Sequence, residues 1–191
     1  MDEQRELTVE MLERELQRER EKKQRRRRRR RVLLLVLALV LIAAAVGLTT
    51  VPLLRISGDS MAETLQDGDV VLGLRLSQRE NGDVISFRYD DGVLVKRLIA
   101  QGGDWVELDP DGFVFVNGTR LQEPYVTALS RGSGDVAFPL TVPDGMCFVL
   151  GDNRAVSVDS RSSTLGCIEE GAVLGRLFLR VWPLARFGLI R

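Results

Sequence analysis

Three short stretches of this chain hold side chains that can do chemistry. Residues 57–61, Ser-Gly-Asp-Ser-Met, set Ser60 in a glycine-containing turn just ahead of a branched-rich run. A hydroxyl there is either an ordinary turn group or an unshielded nucleophile, and Gly58 lets backbone N–H groups come close to a ligand. Lys96 lies in Val-Leu-Val-Lys-Arg-Leu-Ile-Ala, residues 93–100. Strand alternation puts it on one face with Leu94 and Leu98, and Arg97 on the other with Val95 and Ile99. A lysine between leucines either snorkels to water from a sheet edge or is desolvated, and desolvation lowers its pKa until a neutral amine exists near pH 7. Residues 151–161, Gly-Asp-Asn-Arg-Ala-Val-Ser-Val-Asp-Ser-Arg, follow another strand. Asp152, Arg154, Asp159 and Arg161 are placed to form charge-assisted bridges within a loop, and Ser157 to meet a lysine.

The chain contains no histidine. Ser-His-Asp and Cys-His triads and paired-histidine zinc motifs are therefore excluded, and a hydrolase built on this sequence must take its base from Lys, Asp, Glu or an amino terminus. Cys147 and Cys167 are the two cysteines. They are too few for a four-ligand zinc site and leave open a disulfide or two separate core thiols.

The elements that must position these groups read as strands. The candidates are residues 69–75, 83–89, 93–100, 105–108, 113–116, 146–150 and 173–182. Turn signals stand at Asp91-Gly92, at 109–112 (Asp-Pro-Asp-Gly) and at Asn117-Gly118. No helix-period segment of useful length follows residue 55, so the expectation is an all-β domain, an antiparallel barrel or sandwich. Residues 103–145 are looser and rich in Gly, Pro, Ser and Asp. They read as a surface excursion from the main sheet, and no chemistry is drawn from them.

The N-terminal part is different. Residues 1–31 carry 13 Lys/Arg and 8 Asp/Glu, whereas residues 32–191 carry 14 and 19. Residues 1–24 read as a charged tail or a thinly amphipathic partner helix. Seven arginines, Arg25 to Arg31, precede 23 uncharged residues from Val32 to Leu54. About 20 helical residues cross a bilayer core, and this run exceeds the apolar stretch of a cleavable signal peptide. The expected organisation is a cytoplasmic tail (1–31), a transmembrane signal-anchor helix (32–54) and an extracytoplasmic domain (55–191). The arginines keep the N-terminus inside the cytoplasmic membrane and serve topology and lipid headgroups rather than nucleic acid.

Taken together and in order, these stretches resemble the type I signal peptidases (leader peptidases) in their short single-span form. The resemblance is carried by 57–65 (Ser-Gly-Asp-Ser-Met-Ala-Glu-Thr-Leu), 82–87 (Gly-Asp-Val-Ile-Ser-Phe), 95–104 (Val-Lys-Arg-Leu-Ile-Ala-Gln-Gly-Gly-Asp), 151–161, and 171–176 (Gly-Ala-Val-Leu-Gly-Arg). It extends from about Leu33 to Arg191. It implies a serine endopeptidase in which Ser60 is the nucleophile, Lys96 the general base and Ser157 the group that orients the lysine. The Ser60 N–H contributes to an oxyanion hole, while Gly58 stands where many relatives supply a second hydroxyl donor. Arg97, Asp152, Asp159 and Arg161 match structural charged positions. The implied substrates are signal-peptide-bearing preproteins with small residues before the cut, added as an extended strand beside Ser60 and Lys96. No metal or organic cofactor is implied.

Two departures accompany the match. Glu63 replaces a proline that stiffens the nucleophile turn, and Ala155-Val156 replace a polar pair ahead of Ser157. Ser60 lies five residues past Arg55, so extended chain keeps it within roughly 20 Å of the membrane exit. The apolar end from Trp182 to Arg191 reads either as an interfacial rest or as a last strand. Two other functions compete: a soluble self-cleaving repressor-like serine–lysine protein, against which the apolar run speaks, and a tethered binding module without turnover, for which Glu63 is the argument. Cleavage of a model preprotein beside Ser60→Ala separates them.

Overall fold

The computed structural model describes residues 25–26, 28–39, 51–75 and 78–190. The chain divides into two compact units, Met1–Thr49 and Thr50–Arg191. In the first, residues 28–39 are helical. No helix among the described residues is long and apolar enough to cross a membrane. The tail through residue 24 and residues 40–50 of the expected span lie outside the described residues. Its last five residues, 50–54, fall in the second unit, and Leu53 and Leu54 belong to the first strand, Leu53–Arg55.

The second unit is mostly β and antiparallel. Its strands are β1 (Leu53–Arg55), β2 (Val70–Leu74), β3 (Val84–Tyr89), β4 (Gly92–Gln101), β5 (Trp105–Leu108), β6 (Val114–Val116), β7 (Thr119–Arg120), β8 (Leu140–Thr141), β9 (Met146–Leu150), β10 (Ile168–Glu169), β11 (Val173–Trp182) and β12 (Gly188–Leu189). The main sheet runs β1-β2-β11-β3-β4-β9-β10, with β12 on β11, and a smaller one runs β7-β6-β5-β8. Of the antiparallel barrel or sandwich expected, the antiparallel sheets form, and no closed barrel does. β9 pairs with β4 only from Arg97 onward, so among the described residues the edge of β4 from Gly92 to Lys96 has no strand neighbour on that side. β1 pairs with β2 alone. Leu54, Arg55 and Ile56 instead face Val93 to Lys96 across a cavity.

Alternation along β4 separates two environments. Leu98 and partly buried Leu94 pack in a cluster with Ile85, Phe87 and Val149. Val95 packs against Ile56, Met61, Leu65, Val71 and Leu177. A register shift between Leu98 and Ala100 then brings Ile99 and Ala100 together into a third cluster. That cluster joins the sheets by adding Val106, Leu108, Val114 and Val116, so the excursion has its own folded core. Asn117 and Gly118 both take positive φ, 52° and 75°, as a type I′ hairpin between β6 and β7 requires. The β3–β4 turn sits one residue earlier than expected: Tyr89 pairs with Gly92, and Asp90, at φ 47°, makes the turn with Asp91.

The cysteines are free. Cys147 belongs to the β3–β4 cluster, while Cys167 lies against the cluster shared with the small sheet. Burial pushes the Cys147 thiol up to about 11 and also raises Cys167. Neither is a thiolate at neutral pH, so neither is a ready nucleophile. A thiol-reactive chromophore should label folded protein slowly and titrate two thiols per chain after denaturation without reductant. Fewer than two would mean a bridge.

Candidate active site

The nucleophile candidate sits on a short loop closed at its base. Ile56 N–H donates to Asp69 O at 2.8 Å and Gly68 N–H to Ile56 O at 3.0 Å. Within it, Ala62 N–H donates to Asp59 O and Leu65 N–H to Met61 O, winding residues 59–65 into tight turns. Met61 and Leu65 are buried and anchor the turn from below. Gly58 has φ 87°, a conformation costly for other residues, and its N–H donates to Asp67 Oδ1 at 3.0 Å. That amide is therefore engaged, whereas the Ser60 N–H has no acceptor among the described residues.

Lys96 reaches the same cleft from β4. Both it and Ser60 line two adjoining cavities, of about 120 Å³ and 430 Å³. Lys96 is only 3% exposed, and among the described residues no carboxylate lies within ion-pair distance. Burial lowers its pKa below the usual lysine value; Asp159 counteracts this, Arg161 adds to it and Asp152 opposes it. A buried amine with no ion-pair partner, in a cleft that a serine also lines, is what a lysine base requires.

Arg97 turns the other way and is buried against Asp152. Its Nε donates to Asp152 Oδ1 at 2.8 Å and a terminal nitrogen to Oδ2 at 2.6 Å, with both side chains 1% exposed. It also donates to Gly82 O at 2.6 Å and to Thr64 Oγ1 at 3.2 Å, and Thr64 Oγ1 donates to Asp152. The lysine strand, the nucleophile turn and the 151–161 loop thus meet at one bidentate pair.

The 151–161 loop is held from within. Arg161 donates to both Asp159 oxygens at 2.8 Å, to Arg154 O at 2.8 Å and to Ser130 O at 3.1 Å. Gly151 N–H donates to Asp159 Oδ2 at 3.0 Å, and Asn153 N–H to Ser60 O at 3.1 Å. A Cβ on Gly151 would stand 2.2 Å from Ser157 Oγ and 2.5 Å from Ser60 O, so only glycine lets those two segments approach this closely. Ser157 Oγ is buried without a hydrogen-bond partner among the described residues. Ala155 and Val156, in place of a polar pair, leave the loop intact because its bonds run through backbone groups and Arg161.

The excursion contributes what sequence reasoning missed. Glu123 pairs with buried Arg154, the Tyr125 ring lies 3.7 Å from the Arg97 guanidinium, and Thr127 Oγ1 donates to Glu63 Oε1 at 2.5 Å. Three alternate residues of one segment thereby brace the 151–161 loop, β4 and the nucleophile turn. Buried Asp69, held by Arg180 and Arg186, was also unforeseen, although Arg180 donates to Thr64 O at 3.0 Å. A basic residue in a late strand gives no sign of its partner a hundred residues earlier.

Comparison with known proteins assigns the family. The family model described as signal peptidase, peptidase S26, matches residues 29–182. Signal peptidase IB of Staphylococcus aureus is 37% identical, the match covering 74% of this chain and 83% of that protein. A probable signal peptidase I-2 of Synechocystis is 35% identical over 71% of this chain and 65% of its own. The crystal structure of a signal peptidase I from Enterococcus faecalis is similar with a TM-score of 0.44 and 31% identity, covering 53% of this chain and 98% of that one.

Removing Arg97 leaves Asp152 buried without its counter-charge. Arg97→Ala should cost about 3–5 kcal/mol of stability, read as a lowered denaturant midpoint. Arg97→Lys should recover little, since an ammonium cannot make the two-point contact. Wild-type stability in either variant would show that the pair does not tie these segments together.

Proposed function

Because the chain belongs to the signal peptidase family, peptidase S26, we propose that it removes signal peptides from exported preproteins by serine–lysine catalysis at the cleft between β1 and β4. The observation that carries this reading is the placement of Ser60 and a nearly fully buried, unpaired Lys96 on the walls of one cleft.

The free edges of β1 and of β4 from Gly92 to Lys96 flank that cleft, so an extended substrate can add as a strand and satisfy backbone groups of both. The smaller cavity, about 120 Å³, suits small side chains before the cut. Neutral Lys96 takes the Ser60 Oγ proton as the oxygen attacks the scissile carbonyl carbon. The free Ser60 N–H receives the developing oxyanion. Protonated Lys96 then gives its proton to the departing amine, leaving an acyl-enzyme. Lys96, neutral again, takes a proton from water as the water oxygen attacks the acyl carbon, and returns that proton to Ser60 Oγ as the ester bond breaks and the signal peptide leaves as its carboxylic acid. Ser157 Oγ, buried with no hydrogen-bond partner among the described residues, keeps a lone pair with which to steady the lysine during turnover. Arg97, Asp152, Asp159 and Arg161 hold the walls in place and exchange no protons with substrate.

The same reading places the protein in the cytoplasmic membrane. Helical residues 28–39 and the uncharged run that follows support an anchor that begins at Val32 and ends before β1, whose Leu53 and Leu54 pair with β2, with residues 1–31 inside and the β domain outside. Protease added to spheroplasts should digest the 55–191 domain and spare the tail. Full protection of that domain would overturn the orientation.

The mechanism makes Lys96 indispensable as a base rather than as a charge. Lys96→Ala and Lys96→Arg should both reduce preprotein cleavage by at least about 10³-fold, since guanidinium does not deprotonate in a protein. Ser157→Ala should retain partial activity. With its pKa lowered by burial, Lys96 is neutral above that pKa and protonated below it. Wild-type kcat/KM should therefore fall as pH drops through it. A folded Lys96→Arg enzyme cleaving at near wild-type rate would sink the mechanism.

A further inference from the structure

The small cleft accounts for one side of the proposed cut. The second cavity, about 430 Å³, shares Gly58, Ser60, Leu94 and Lys96 with the first and extends away from it. Its walls are Tyr89, Leu94, Val156, Val158 and Leu165, with Asp59 beside Ser60. Val156 and Val158 are 61% and 60% exposed, whereas Ser157 Oγ between them is buried. The loop thus shows two apolar side chains to the cavity and turns its hydroxyl inward. The Tyr89 hydroxyl is occupied, donating to Thr164 O at 2.6 Å.

We infer that this second cavity receives the start of the mature protein and selects an apolar side chain at one of the first two positions after the cut. The inference rests on the peptidase reading above. A chain whose small residues fill the first cavity must pass Ser60 and Lys96 and leave through the space beyond them. At about 3.3 Å per residue, two residues span roughly 7 Å past the bond, within reach of both valines. The Asp59 carboxylate at the near wall disfavours an acidic residue there.

The test uses full-length enzyme in detergent and one signal-peptide substrate carrying Leu, Ala, Lys or Asp at the first or second position after the cut. Wild-type kcat/KM should favour Leu over Asp by about 10-fold or more at one of the two positions, as an apolar pocket discriminates. Val156→Asp or Val158→Asp should bring that ratio near one and raise relative cleavage of the Lys substrate. Val156→Thr and Val158→Thr, close in shape, should give intermediate ratios even where the aspartates abolish turnover. Equal cleavage of all four substrates would overturn the inference, as would a Leu preference that survives every substitution. So would variants that change selection only at positions before the cut. A wild type that cleaves no signal-peptide substrate defeats the peptidase reading itself, and this selection with it.

Discussion

The buried pairing of Arg97 with Asp152 is the constraint from which the rest of the site follows. Two charges taken out of water cost several kcal/mol each, and the cost is offset only when geometry is good and remaining hydrogen-bonding capacity is filled. Here the guanidinium spends its donors on Asp152, Gly82 and Thr64, and an aromatic face covers it. Such a pair tolerates little displacement. Arg97 is the immediate neighbour of Lys96 on β4, and successive side chains of a strand point to opposite faces. Fixing the arginine below therefore fixes the lysine above, and Thr64 carries the same constraint to the turn that holds Ser60.

A base made from lysine must be buried enough to lose its proton yet not so isolated that the charged form never exists during turnover. Pairing it directly with a carboxylate would raise its pKa and defeat the first requirement. The fold separates the two demands. The carboxylates near Lys96, Asp159 and Asp152, are each committed to an arginine, Arg161 and Arg97. They still pull the lysine pKa upward at a distance, while Arg161 pushes it down and burial does most of the lowering. The paired charged positions around Lys96 thus shift its protonation without forming an ion pair with it.

Much of this was legible in the residues. β5, β9 and β11 begin and end where branched-residue runs put them, because the residue preferences of a strand are local. The absence of histidine confined the base to a few residue types. The strands that escaped notice, β1, β7, β8 and β10, are two or three residues long and too short to show a period. The open edge of the sheet was not legible either, since closure depends on where β9 stops pairing with β4. Nor was the part played by residues 123–127. Glu123, Tyr125 and Thr127 look like ordinary loop residues, and their partners lie 31, 28 and 64 positions away.

Glu63 shows how such distant contacts change the meaning of a local departure. In the sequence, an exposed glutamate in place of a stiff residue argues for a slack nucleophile turn and even for a protein without turnover. In the structure the turn is stiffened from outside: Thr127 holds the glutamate, Arg180 holds Thr64 O, and Asn153 holds both Asp59 O and Ser60 O. Proline limits a turn by restricting one φ angle, whereas these bonds limit it by tying it to three other segments of the fold. The second route makes the order of the turn conditional on the small sheet being folded and docked. A residue that looks like a loss of rigidity thereby couples the peptidase loop to a segment with no chemistry of its own.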